Sequence, residues 1–67
     1  MKRIIFTLRN TTEKYIANKV EDVITEKTVA VFMDKPTYNG FIRIKCEENK
    51  ELFLRPSEIE GVLVEDI

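Results

Sequence analysis

Two alternating runs, residues 41–46 and 50–55, flank a short polar stretch, and their spacing leaves little freedom in how this part of the chain pairs with itself. They read Phe-Ile-Arg-Ile-Lys-Cys, then Glu-Glu-Asn, then Lys-Glu-Leu-Phe-Leu-Arg. Strand side chains alternate between faces, so Ile42, Ile44 and Cys46 fall on one side and Phe41, Arg43 and Lys45 on the other. A three-residue loop, Glu47-Glu48-Asn49, puts Asn49 at the left-handed position of a hairpin, where asparagine ranks after glycine. Cys46 then faces Lys50, Ile44 faces Leu52 and Ile42 faces Leu54. A loop that shifts parity sets Leu52 and Leu54 beside Arg43 and Lys45, and both faces lose their character.

The chain runs on through residues 52–64, whose pattern echoes residues 15–24: an apolar pair, a polar corner, then an aliphatic-Glu-x-aliphatic run. The later copy cannot be a long helix, because Pro56 and Gly61 both interrupt it. It predicts a strand at 51–55, a turn opened by Pro56 and Ser57, and a last strand at 61–65. By analogy the earlier copy is a strand at 13–17, a corner at Asn18 and Lys19, and a second strand at 21–26. A helix over 11–26 is the alternative. Asn10-Thr-Thr-Glu13 has the spacing of a capping box, and Ile16, Val20, Val23, Ile24 and Lys27 share a helical face. The β-branched content of the segment, together with the repeat, favours strands.

Residues 3–9 alternate as a first strand, with Ile4, Phe6 and Leu8 inward and Ile5 as the exception on the polar side. Residues 25–28 make a tight turn into Thr-Val-Ala-Val-Phe-Met at 28–33, which reads as a central strand with two apolar faces. Pro36 ends that strand, and Asn39-Gly40 supplies positive φ angles to the loop at 34–40. The expected fold is all-β: an antiparallel sheet of about six strands curled into a small barrel or half-barrel. The alternative is an α+β chain, βαβββ, with its helix at 11–26.

A chain of 67 residues is one domain, 1–67, and buries little of its unfolded surface. The single cysteine excludes an internal disulfide, and without histidine a zinc site is not expected. Oligomerisation is the remaining source of buried area, so a homo-oligomer is expected. With 43% hydrophobic and 34% charged residues the chain reads as an ordinary folded domain. The apolar runs are too short to span a membrane, and Arg9 interrupts the apolar part of the basic N-terminus, so a cytoplasmic location is expected. Residues 1–20 carry five basic groups against Glu13, and the rest carry six against eleven acidic, within a net charge of -1. That asymmetry reads as solvated surface.

Without histidine there is no ordinary imidazole base, and Cys46 projects to the apolar side. Ser57 follows a proline with no base beside it. The acidic pairs Glu47 and Glu48, and Glu58 and Glu60, read as solvated turns rather than as an acid–base site. Two glycines are too few for a phosphate loop. No enzyme activity, cofactor or metal is expected. The hairpin register does create one candidate binding surface: Phe41, Arg43 and Lys45 beside Phe53 and Arg55, with Tyr38 on the adjoining loop. The expected function is a non-enzymatic protein-interaction module whose exposed rings are covered by another subunit or protein. Its size suits an accessory or inhibitor protein of a phage or mobile element. The alternative is single-stranded nucleic-acid or nucleotide binding, with rings stacking on bases and cations on phosphates; the overall acidity counts against it.

Overall fold

β1 (Lys2–Leu8) is the centre of the molecule, antiparallel to β2 (Lys14–Val20) on one side and to β5 (Ile59–Asp66) on the other. In this computed structural model the described residues are 1–35, 37–47 and 49–67; the expectations placed on Pro36 and Glu48 lie outside them. Among the described residues the chain continues from β2 into a helix, α1 (Asp22–Asp34). A two-stranded sheet of β3 (Ile42–Cys46) and β4 (Lys50–Leu54) follows, then a 3-10 turn (Pro56–Glu58) leading into β5.

The structure is mostly sheet, as expected, but it has five strands in two sheets and one helix among the described residues, and the sheets do not close into a barrel. The hairpin has the predicted register: Cys46 pairs with Lys50, Ile44 with Leu52 and Ile42 with Leu54, and Asn49 has φ 61°. Ile44 and Leu54 are buried in the core with Ile4, Phe6, Ala17, Val20 and Ile59. A β-branched residue is poorly tolerated in the left-handed region. Asn49→Val is therefore expected to lower stability by about 1–2 kcal/mol, read as a fall in the urea midpoint, while Asn49→Gly holds or raises it.

Ile5, the exception in the first strand, is explained by its neighbours. It pairs with Ile16 on β2 and Leu63 on β5, forming an apolar row on the outer face of the three-stranded sheet. The corner expected at Asn18 and Lys19 is instead a bulge within β2. Lys2 pairs with Val20 and Ile4 with Ala17, and Lys19 takes φ 53°. Arg3 Nε donates to Asn18 Oδ1 at 2.8 Å and holds the bulge in place. The capping-box residues form the β1–β2 turn rather than a helix start, with Asn10 at φ 60° and the Glu13 N–H donating to Thr11 Oγ1 at 3.1 Å.

The largest correction is α1, which replaces the strands expected at 21–26 and 28–33 and the turn between them. The helix of the alternative reading is not at 11–26 either: residues 14–20 of that stretch are β2, and α1 begins only at Asp22. The two copies of the repeat thus end differently, one in a helix and one in a strand. The buried residues of α1 are Thr25 and Thr28. Each hydroxyl donates to a carbonyl one turn back, Thr25 to Glu21 at 3.0 Å and Thr28 to Ile24 at 2.8 Å, so burying it leaves no orphaned polar group. Phe32 continues this face and meets Phe6 with ring centroids 5.7 Å apart. Asp22 in the first turn complements the helix dipole.

The helix stops at Asp34, with the Lys35 N–H donating to the Val31 carbonyl at 2.8 Å. Neither Asn39 nor Gly40 has a positive φ. The loop is instead anchored to the 3-10 turn: the Ser57 N–H donates to the Tyr38 carbonyl at 3.1 Å, and Ser57 Oγ to Asn39 Oδ1 at 3.2 Å. Open clefts flank α1 on both sides. One of about 320 Å³ lies toward β5, lined by Val29, Phe32, Met33, Val62 and Val64, and one of about 250 Å³ lies toward β3. No helix among the described residues is long and apolar enough to cross a membrane.

Candidate functional site

The β3–β4 register decides which side chains share the outer face of the hairpin. Ile42 opposite Leu54 extends to Phe41 opposite Arg55; Arg43 faces Phe53 and Lys45 faces Glu51. Each phenyl ring therefore stands across from a guanidinium, and the two rings lie on a diagonal with the two arginines on the other. Phe41 is 62% exposed and Phe53 57% exposed. At roughly 25 cal/mol per Å² each half-exposed ring offers on the order of 2 kcal/mol to whatever covers it.

The register sets Arg43, Lys45 and Phe53 on one face of the hairpin, and one contact that the sequence did not announce joins Phe41 and Arg55. The Arg55 guanidinium lies over the Phe41 ring, 4.6 Å from its centroid, while Nη1 donates to Glu58 Oε1 at 3.4 Å. Such a cation–ring contact contributes about 0.5–1 kcal/mol at an exposed site. Its larger consequence is that both side chains are ordered before any partner arrives. Arg55 Nε is the one buried side-chain polar atom among the described residues without a hydrogen-bond partner. Tyr38, also exposed, packs over Gly40, where a Cβ would overlap its ring. Among the described residues its loop is tied to the 3-10 turn by the bonds to Ser57 and not to the hairpin strands.

The remaining reactive groups are dispersed. Cys46 belongs to the partly buried rim of the core, and burial, followed by the neighbouring Glu47 carboxylate, pushes its thiol above the ordinary cysteine value. Glu47 pairs with Lys50 at 3.8 Å and Glu58 with Arg55 at 3.4 Å, while Glu60 is exposed on β5; Glu48 is outside the described residues. Ser57 has an amide oxygen, not a base, as its partner. Among the described residues no group of three or more acidic or cysteine side chains is placed to hold a metal ion.

The charge asymmetry of the sequence is partly offset by topology, since pairing β1 with β5 sets Lys2 beside Asp66 and Arg3 beside Glu65 at 3.7 Å. The Lys2–Asp66 hydrogen bond raises the lysine pKa and lowers that of the carboxyl. What the pair adds to stability fades as pH falls through the lowered Asp66 value and, at the alkaline end, as pH rises through the raised Lys2 value. Asp66 is exposed and Lys2 half-exposed, so salt screens the effect. Lys27, Arg43 and Lys45, by contrast, form no ion pair among the described residues. In comparisons with known proteins, no family model, curated protein or solved structure matches this chain.

Proposed function

We propose that the protein is a non-enzymatic protein-interaction module that binds another protein through the outer face of its hairpin. The observation that carries this reading is the exposed Phe41–Arg55 and Phe53–Arg43 arrangement. Aromatic and arginine side chains are enriched where interfaces draw their energy, and a preordered pair reduces the entropy lost on docking. Base stacking is the weaker reading of the same residues, because one side of the Phe41 ring is already covered by Arg55. A role as an accessory or inhibitor protein of a phage or mobile element, covering part of its partner, is the context we propose for such a module.

The test is position-specific photo-crosslinking in cells of the source organism. A benzophenone side chain at position 53 is expected to capture one protein that the same group at position 14, on the opposite sheet, does not. Equal capture from both positions, or none from 53, overturns the reading.

Self-association belongs to a different surface. Two hairpin faces set together oppose Arg43, Lys45 and Arg55 to the same cations. The row of Ile16, Ile5 and Leu63 on the outer sheet face carries less of that conflict, since the neighbouring Arg3 is already engaged by Asn18 and Glu65 and Lys14, opposite Thr7, is the cation left beside it. A second copy covers this row. Leu63, 55% exposed, sits at its edge, and Leu63→Glu is expected to shift sedimentation velocity from dimer to monomer without changing the circular dichroism spectrum. A wild-type monomer at high concentration contradicts this.

A further inference from the structure

We infer that the partner presents an extended acidic segment, added as a strand to the open edge of β3 in the cleft between β3 and α1. The inference rests on the hairpin being a protein-binding element and identifies the chemistry of what the edge beside its outer face receives, Arg43 being common to both. Among the described residues β3 has a strand ladder with β4 only, although β2 lies close to it where Asn18 approaches Glu47. Past its end the Glu47 N–H donates to the Asn18 carbonyl at 2.8 Å, and no other bond among the described residues ties β3 to another strand. Along this edge runs the cleft of about 250 Å³, with Ile24, Val31 and Ile42 as apolar lining and Lys27, Arg43 and Lys45 as its cations. All three cations are exposed and, among the described residues, none is in an ion pair; Glu51 faces Lys45 across the hairpin without forming one.

An added strand alternates its side chains, as β3 does. Those on the Ile42 side meet Ile24 and Val31 from α1 and must be apolar. Those on the Arg43 and Lys45 side meet cations and are favoured as Asp or Glu. The cleft thus reads a segment in which aliphatic and acidic residues alternate. A second copy does not supply one: in β5, Glu60, Val62 and Val64 share one face, and Glu65 and Asp66 are already paired with Arg3 and Lys2. A single-stranded nucleic acid finds aliphatic side chains rather than aromatic rings within the cleft.

The probe is a short fluorescein-labelled peptide alternating Glu and Val, compared with a Lys and Val peptide and a short oligothymidylate, by fluorescence anisotropy in low salt. The acidic peptide is expected to bind saturably, and the Lys and Val peptide is not. Binding should weaken roughly tenfold or more with Lys27→Glu, Arg43→Glu and Lys45→Glu combined, and in salt on the order of 0.5 M. The milder Lys27→Gln, Arg43→Gln, Lys45→Gln combination guards against misfolding and should show a smaller loss. Amide shifts on Ile42–Cys46 should locate the peptide at the β3 edge. Equal binding of both peptides, indifference to the charge changes, or tighter binding of the oligothymidylate at these residues overturns the inference. If position 53 still crosslinks its protein while the acidic peptide fails to bind, the protein-binding reading stands and only the acidic segment is wrong.

Discussion

Phe6→Ala is expected to remove about 3–5 kcal/mol of folding free energy and leave much of the protein unfolded at physiological temperature. Phe6 is fully buried on the central strand, and its ring meets Phe32 of α1 at an interplanar angle of 42°. It therefore joins the three-stranded sheet to the helix, and deleting the ring opens a cavity beneath both. A domain of 67 residues has roughly 3–10 kcal/mol of net stability, with no disulfide to limit the loss. Phe6→Leu keeps most of the volume and should cost about 1–2 kcal/mol. Urea denaturation followed by far-UV circular dichroism measures both. Phe53→Ala is the informative contrast: the same residue type on the exposed face should change stability by no more than about 0.5 kcal/mol. A Phe6→Ala midpoint close to wild type contradicts this assignment of the core.

Residues 41–55 were legible because three independent constraints agreed there: alternation, loop length, and an asparagine suited to positive φ. Residues 22–34 were not, and the reason is physical. Val23, Ile24, Thr25, Thr28, Val29 and Val31 carry strand propensity, yet the core between the sheets needs a cover, and tertiary packing overrides propensity. The face that packs inward holds two threonines, so the apolar residues alone show no helical stripe; Met33 remains 75% exposed. The usable signal was the spacing of Thr25, Thr28 and Phe32 on one helical face, with hydroxyls that a helix can satisfy internally. The repeat misled in the same region, because similar apolar spacing entered a helix in one copy and a strand in the other.

The candidate face was legible for the same reason as the hairpin: register alone decides which residues lie outward. The stacking of Arg55 on Phe41 was not, since it depends on rotamers and on Glu58 in the 3-10 turn. Nor was the cleft beside β3, which exists only because α1 stands where a strand was expected.

Protein binding at the hairpin face is the central proposal. Its most direct measurement is calorimetric titration of the protein captured from position 53 against wild type and against the Phe41→Ser, Phe53→Ser variant. Both rings are exposed, so the variant should keep its spectrum, and its folding free energy from urea denaturation should stay within about 1 kcal/mol of wild type. Losing two central aromatic contacts is expected to cost about 2–4 kcal/mol of binding, a fall in affinity of roughly thirty-fold or more. An affinity unchanged in a variant that remains folded would contradict the account.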